Sequence, residues 1–164
     1  MLADAAARAD ELAQAGAERE LAALRQQWDD EVEAAARSAD YRERASAYRA
    51  VGQFRFRQKT ELLRRGLEDE SPAARGSALV SIQVLSKEHP GVVNQIRPLL
   101  HSIASHDANQ AVRRLAIVCL RNGSPQRDTI VLLAGLADDD EQEPELRRSA
   151  RAVAGELRKR AATR

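Results

Sequence analysis

Aromatic side chains are nearly missing from this chain: one Trp, two Tyr and two Phe in 164 residues, 3% of the total. A sheet sandwich leans on aromatic and β-branched residues, so their scarcity argues against one. Cysteine is nearly missing too. Cys119 stands alone in the apolar run Leu115 to Leu120, which excludes a disulfide within the chain and reads as a small buried hydrophobe in a reducing compartment. Long apolar runs are absent: the longest stretch of small apolar residues, Ile130 to Ala137, is far short of a membrane span. The N-terminus has no apolar stretch behind a basic start, so the expected location is cytoplasmic.

What is present is Ala, Arg, Glu and Leu, residues of low helix cost and little use in strands, and the expected class is all-α. Charge is distributed unevenly. Residues 1–43 hold 11 Asp/Glu and 5 Arg, net −6, which leaves net +7 for residues 44–164. The two segments are electrostatically complementary.

Residues 3–37 contain no Pro, and their apolar positions step by three and four along Leu2, Ala5, Ala9, Leu12, then Leu21, Leu24, Trp28, Val32 and Ala35. The stripe changes register at Gly16, which either kinks one long helix or breaks it into two; the expectation is one long helix with a weak point there. Trp28 lies on the stripe. It either docks this helix on the rest of the chain or pairs two chains as a homodimer through residues 1–37. From Ser38 onward shorter helices are expected at 39–51, 55–68, 72–88, 92–105, 109–122, 125–137 and 144–161. Ser71-Pro72 and Ser124-Pro125 mark helix starts, Glu143-Pro144 marks a weaker one, and Gly52 and Gly123 mark stops.

Self-alignment exposes an internal repeat. Asp69-Glu-Ser-Pro-Ala-Ala-Arg75-Gly-Ser-Ala78 and Asp107-Ala-Asn-Gln-Ala-Val-Arg113-Arg-Leu-Ala116 share Asp, Arg and Ala at identical spacings. A third copy runs Glu143-Pro-Glu-Leu-Arg147-Arg-Ser-Ala150, with a fainter one at Arg44-Ala-Ser-Ala47. The four arginines are 31, 38 and 34 residues apart, a period typical of helix-pair repeats. The pattern resembles the HEAT repeat and its bacterial HEAT-like relatives over residues 38–161. The resemblance implies a short right-handed α-solenoid behind the long N-terminal helix, with pairs at 39–68, 72–105 and 109–137 and a terminal helix at 144–161. Residues 1–37 would be a capping or coiled-coil element, and residues 38–164 the repeat domain. It also implies a ladder in which the turn Asp69 and Asp107 bond to helix arginines of neighbouring repeats, Arg75 and Arg113. In the fourth copy Glu141 stands at the Asp spacing from Arg147.

In that family the second helix of each pair lines a concave face. Stepping 100° per residue from each apolar stripe puts Arg57, Arg64, Arg65, Asn94, His101, Arg127, Val131 and Ala134 on it. The strip grades from charged to small apolar, which suits a protein or peptide partner held in a scaffold or adaptor. The alternative occupant is a nucleic-acid backbone on Arg55, Arg57, Lys59, Arg64 and Arg65, interleaved with Phe54 and Phe56. Against it, Glu61 and Glu68 alternate with the arginines as on a solvated face. No phosphate loop, dinucleotide fingerprint, paired Cys-x-x-Cys, His-Glu-x-x-His or nucleophile elbow occurs, so no enzyme, metal or cofactor is expected. Some HEAT-like proteins are subunits of phycobilin lyases, and a lyase subunit is the third reading, with no residue to match.

Overall fold

Residues 1–163 are described by a computed structural model, and every regular element in them is helical. The chain divides into two units, Met1–Leu85 and Ser86–Arg164. The first holds α1 (Leu2–Gln14), α2 (Glu18–Ala36), α3 (Tyr41–Gln53), a 3-10 turn at Arg57–Lys59, α4 (Thr60–Gly66) and α5 (Pro72–Ser86), whose last residue crosses into the second unit. The second holds α6 (Gly91–Asn94), α7 (Arg97–His106), α8 (Gln110–Leu120), α9 (Arg127–Asp138) and α10 (Pro144–Ala162). None of these helices is long and apolar enough to cross a membrane.

The single long N-terminal helix is not what forms. Gly16 adopts φ 72°, and the chain folds into a hairpin of α1 on α2, with α1 also packed on α3. Two backbone bonds close the turn, Gly16 N–H to Ala13 O at 3.2 Å and Ala17 N–H to Leu12 O at 2.9 Å. That is the left-handed C-terminal motif that glycine enters without steric cost. The register jump was its trace in the sequence. Ala6, Ala9, Leu12, Leu21 and Val32 are buried, and Trp28 is half-buried on the same stripe.

Gly52 does not stop α3. The left-handed residue there is Arg55, φ 58°, with Arg55 N–H on Gly52 O and Phe56 N–H on Val51 O, both 3.0 Å. Gly52 is needed for closeness instead, since a Cβ would lie 2.7 Å from Ser81 Cα on α5. Ser81 Oγ accepts the Gly52 N–H at 2.9 Å. The helix expected over 92–105 is likewise two. Ile96 leaves helical geometry at φ −117°, and Pro98 sits in the first turn of α7. In an unbroken helix the Pro98 ring would clash with the carbonyl of Asn94, whereas near a helix start its missing N–H does no harm.

The internal repeat has a physical counterpart in four similar turns. Ser38 Oγ accepts the N–H of Asp40, Asp69 Oδ1 that of Ser71, Asp107 Oδ1 that of Asn109 and Asp139 Oδ1 that of Glu141, at 2.9–3.1 Å. Asp40, Ser71 and Asn109 then cap α3, α5 and α8 through their side chains. Each repeat arginine folds back on carbonyls that precede its helix: Arg44 on Ser38 and Ala39, Arg75 on Asp69 and Glu70, Arg113 on Ala104, Arg147 on Ala137. The fourth turn carries two extra residues, so its acid is Asp139 and not Glu141.

Asp69 bonds Arg44, the arginine of the preceding copy, with Nε at 2.8 Å from Oδ2 and Nη2 at 3.0 Å from Oδ1. Arg113 donates to Gln142 Oε1 at 2.9 Å, and Gln142 Nε2 donates to Asp139 Oδ2 at 3.0 Å. The longer fourth turn thus gives a rung relayed through an amide. Asp69 and Asp139 both titrate below the ordinary carboxylate range, Asp69 chiefly through Arg44 and Asp139 chiefly through the Glu141 backbone N–H.

Candidate functional site

In the first unit two of the five residues of the expected basic strip, Lys59 and Arg55, are taken up by the acidic hairpin. Lys59 is 7% exposed. Its Nζ donates to Asp29 Oδ1 at 2.8 Å and Glu33 Oε1 at 2.7 Å and lies 5.0 Å from the Phe56 ring centroid. Burial alone would lower its pKa, but the Asp29 and Glu33 bonds outweigh burial and hold it above its ordinary value. Arg55 donates to Asp10 Oδ1 at 2.9 Å, and Arg25 on α2 reaches Phe54 O at 3.0 Å. Phe54 and Phe56 are 0% and 1% exposed, with ring centroids 5.3 Å apart, and are core, not a stacking platform. Arg64 is shared between Glu61 and Glu68. Arg57 and Arg65 remain exposed. The complementarity between the two ends of the sequence is therefore realised in part inside this unit, at Asp10, Asp29 and Glu33.

In the second unit the structure centres on a residue that sequence reasoning missed. Arg97 is 4% exposed and has neutral acceptors around it: Nη1 donates to Thr129 Oγ1 at 3.0 Å, and Nη2 to Ser124 Oγ at 2.9 Å and to Asn94 Oδ1. Asn94 Oδ1 also accepts the Ser124 N–H at 2.9 Å. His101 Nε2 lies 2.8 Å from Thr129 Oγ1. With Thr129 accepting from Arg97, its hydroxyl proton is available to that nitrogen, which fits a neutral ring. Burial pushes the His101 pKa down, Asp128 opposing and Arg97 assisting, and burial likewise lowers that of Arg97. One guanidinium thus ties together the break between α6 and α7, the segment before α9, and the first turn of α9. The signal in the sequence was a cation on an apolar stripe, since Val93, Arg97, Leu100 and Ala104 fall at helical spacing.

Two of the expected contact residues are thereby occupied. Asn94 and His101 direct their polar atoms into the Arg97 cluster. Arg127 and Val131 do face solvent on α9, together with Asp128, Gly135 and Asp138, and Ala134 borders them half-buried. Val131 is 61% exposed, the most exposed large apolar side chain of this unit. No group of three or more His, Cys, Asp or Glu side chains gathers in a metal-binding arrangement among the described residues. No protein-family model matches the chain, and no curated protein matches it.

Proposed function

We propose that this chain is a non-enzymatic interaction module of the cytoplasm, a HEAT-like stack of helix pairs that offers the solvent face of α9 to another protein. The observation that carries the reading is Val131, an aliphatic side chain 61% exposed in the middle of a helix, with Arg127 and Asp128 a turn before it and Asp138 two turns after. An apolar contact ringed by charges of both signs is the anatomy of a small protein-binding patch. The four similar turns with their arginine anchors support the repeat assignment. The interior chemistry supports a scaffold: Lys59, Arg97 and Arg113 direct their donors to groups that fix helices in place, and His101 Nε2 faces the Thr129 hydroxyl. The buried thiol of Cys119 suits a reducing compartment.

A photo-crosslinking residue at position 131 tests the reading, with one at the exposed Glu88 as control. The expected result is a discrete protein adduct at position 131 only, lost in Arg127→Glu while the melting temperature stays unchanged. Adducts that ignore the α9 substitution, or a Val131→Asp variant that melts earlier, would refute it. Retarded DNA that Arg57→Glu with Arg65→Glu releases would put a nucleic-acid backbone in the partner's place.

A further inference from the structure

Two helices of equal length, α2 and α10, each 19 residues or about 28 Å, present solvent faces of opposite charge. The α10 face opposite its buried residues Leu146, Ala150, Val153 and Leu157 carries Arg148, Arg151, Arg158 and Lys159, with Ala152 and Gly155 between them. Its acids Glu145 and Glu156 lie to one side, paired with Arg114 and Arg121. The α2 face opposite Leu21 and Val32 carries Asp30 with Gln26 and Gln27, and the exposed Glu20 and Glu31 flank it on one side. Glu20, Asp30, Glu31, Arg148, Arg158 and Lys159 make no ion pair among the described residues.

We infer that these faces dock on each other between copies, the acidic face of α2 in one copy lying antiparallel on the basic face of α10 in the next. The charge spacing selects that direction. With the midpoints Gln27 and Val153 opposed and the helices antiparallel, Glu20 falls level with Arg160, whose guanidinium donates to Arg121 O, and so meets the neighbouring Lys159, while Asp30 and Glu31 fall between Arg148 and Arg151. Arg19, the cation of the α2 face, falls in the last turn at Ala161. In the parallel direction Asp30 falls on Glu156, and Glu20 falls beside Glu145. Gln26 and Gln27 stand over Ala152 and Gly155, where an added Cβ at Gly155 would meet nothing within 4 Å, so the floor is open to a second helix. A phosphate backbone would use the same cations but has no need of that floor. Because the two faces differ, the contact is heterologous, and it closes into a ring or grows with concentration.

Sedimentation velocity of the full chain tests this, from roughly 1 to 200 µM at about 50 mM and about 500 mM salt. Wild type should grow beyond monomer at the lower salt and return to monomer at the higher. Glu20→Lys with Asp30→Lys, and separately Arg148→Glu with Lys159→Glu, should each weaken association at least about tenfold. Mixed one to one, the two variants restore opposite signs at both contacts and should associate again. Circular dichroism first establishes that both are folded. A monomeric wild type at low salt overturns the inference, as do variants that associate like wild type or folded variants that fail to associate when mixed. A monomeric wild type that retards duplex DNA, with the retardation lost in Arg148→Glu with Lys159→Glu, overturns it in favour of nucleic acid.

Discussion

Replacing Asp69 by Asn tests the direct rung at the point where its loss is easiest to calculate. The carboxylate accepts three hydrogen bonds, from Arg44 Nε at 2.8 Å, Arg44 Nη2 at 3.0 Å and the Ser71 N–H at 2.9 Å, and its side chain is 7% exposed. Asparagine keeps the shape and one oxygen, which can still serve Ser71 and Nη2. Its amide nitrogen then faces Arg44 Nε donor to donor. The loss is one charge-assisted hydrogen bond, about 1.5–3 kcal/mol, together with the countercharge. Arg44 retains the carbonyls of Ser38 and Ala39, so the loss should stay below the ~3–5 kcal/mol of an orphaned buried charge. About 2–3 kcal/mol is expected, or a fall of roughly 4–10 °C in melting temperature. Urea titration followed by Trp28 fluorescence reads this directly, because the single tryptophan lies in the same unit as Asp69. The effect must also depend on pH. The folded Asp69 carboxyl is held below its ordinary range, by Arg44 above all, so its stabilisation is complete above pH ~4 and disappears as pH falls through the folded value. Wild type and Asp69→Asn should converge in acid. A loss under about 0.5 kcal/mol, a gap that persists in acid, or strict additivity with Arg44→Met would refute the reasoning.

Lys59→Met should loosen the N-terminal hairpin by about 1–3 kcal/mol, because it leaves Asp29 and Glu33 facing each other without a cation; faster proteolysis in residues 37–40 would register it. Gly52→Ala should cost at least about 1–3 kcal/mol, since its Cβ meets Ser81 backbone at 2.7 Å, whereas Gly155→Ala in open space should stabilise α10 by about 0.5–1 kcal/mol. Thermal melts of the pair should move in opposite directions. The folded His101 pKa is depressed, so stability is full above pH ~6.5 and declines as pH falls through that value; His101→Gln should flatten the wild-type decline between pH ~7 and ~5.

Most helices from α3 to α10 were legible in composition and spacing because their ends carry local signals, such as Ser71-Pro72 and Glu143-Pro144 at starts, but the break at Ile96 between α6 and α7 was not, since one helix was expected over 92–105. The Gly16 break was harder to read. Residues on both sides favour helix strongly, and only the packing of α1 back on α2 and α3 decides for a hairpin. The repeat arginines stand out by their spacing, while their bonds are long-range: Arg44 reaches Asp69 across 25 positions, and Arg113 reaches the Gln142 amide oxygen across 29. The interior roles of Lys59 and Arg97 escaped the sequence for one reason. A cation on an apolar stripe becomes an interior residue when distant acceptors surround it, and neither Asp29 and Glu33 nor Ser124 and Thr129 announces that role locally.

The relayed rung at Gln142 bears on how such turns change length. Two added residues displaced the acid, yet the arginine still reaches it through one amide, because side-chain reach absorbs what backbone register could not. A turn built this way has slack. Kinship among such modules is then better sought in the bonding graph, acid to amide to arginine to carbonyl, than in any fixed count of residues. Deleting the two extra residues should return Asp139 to direct contact with Arg113.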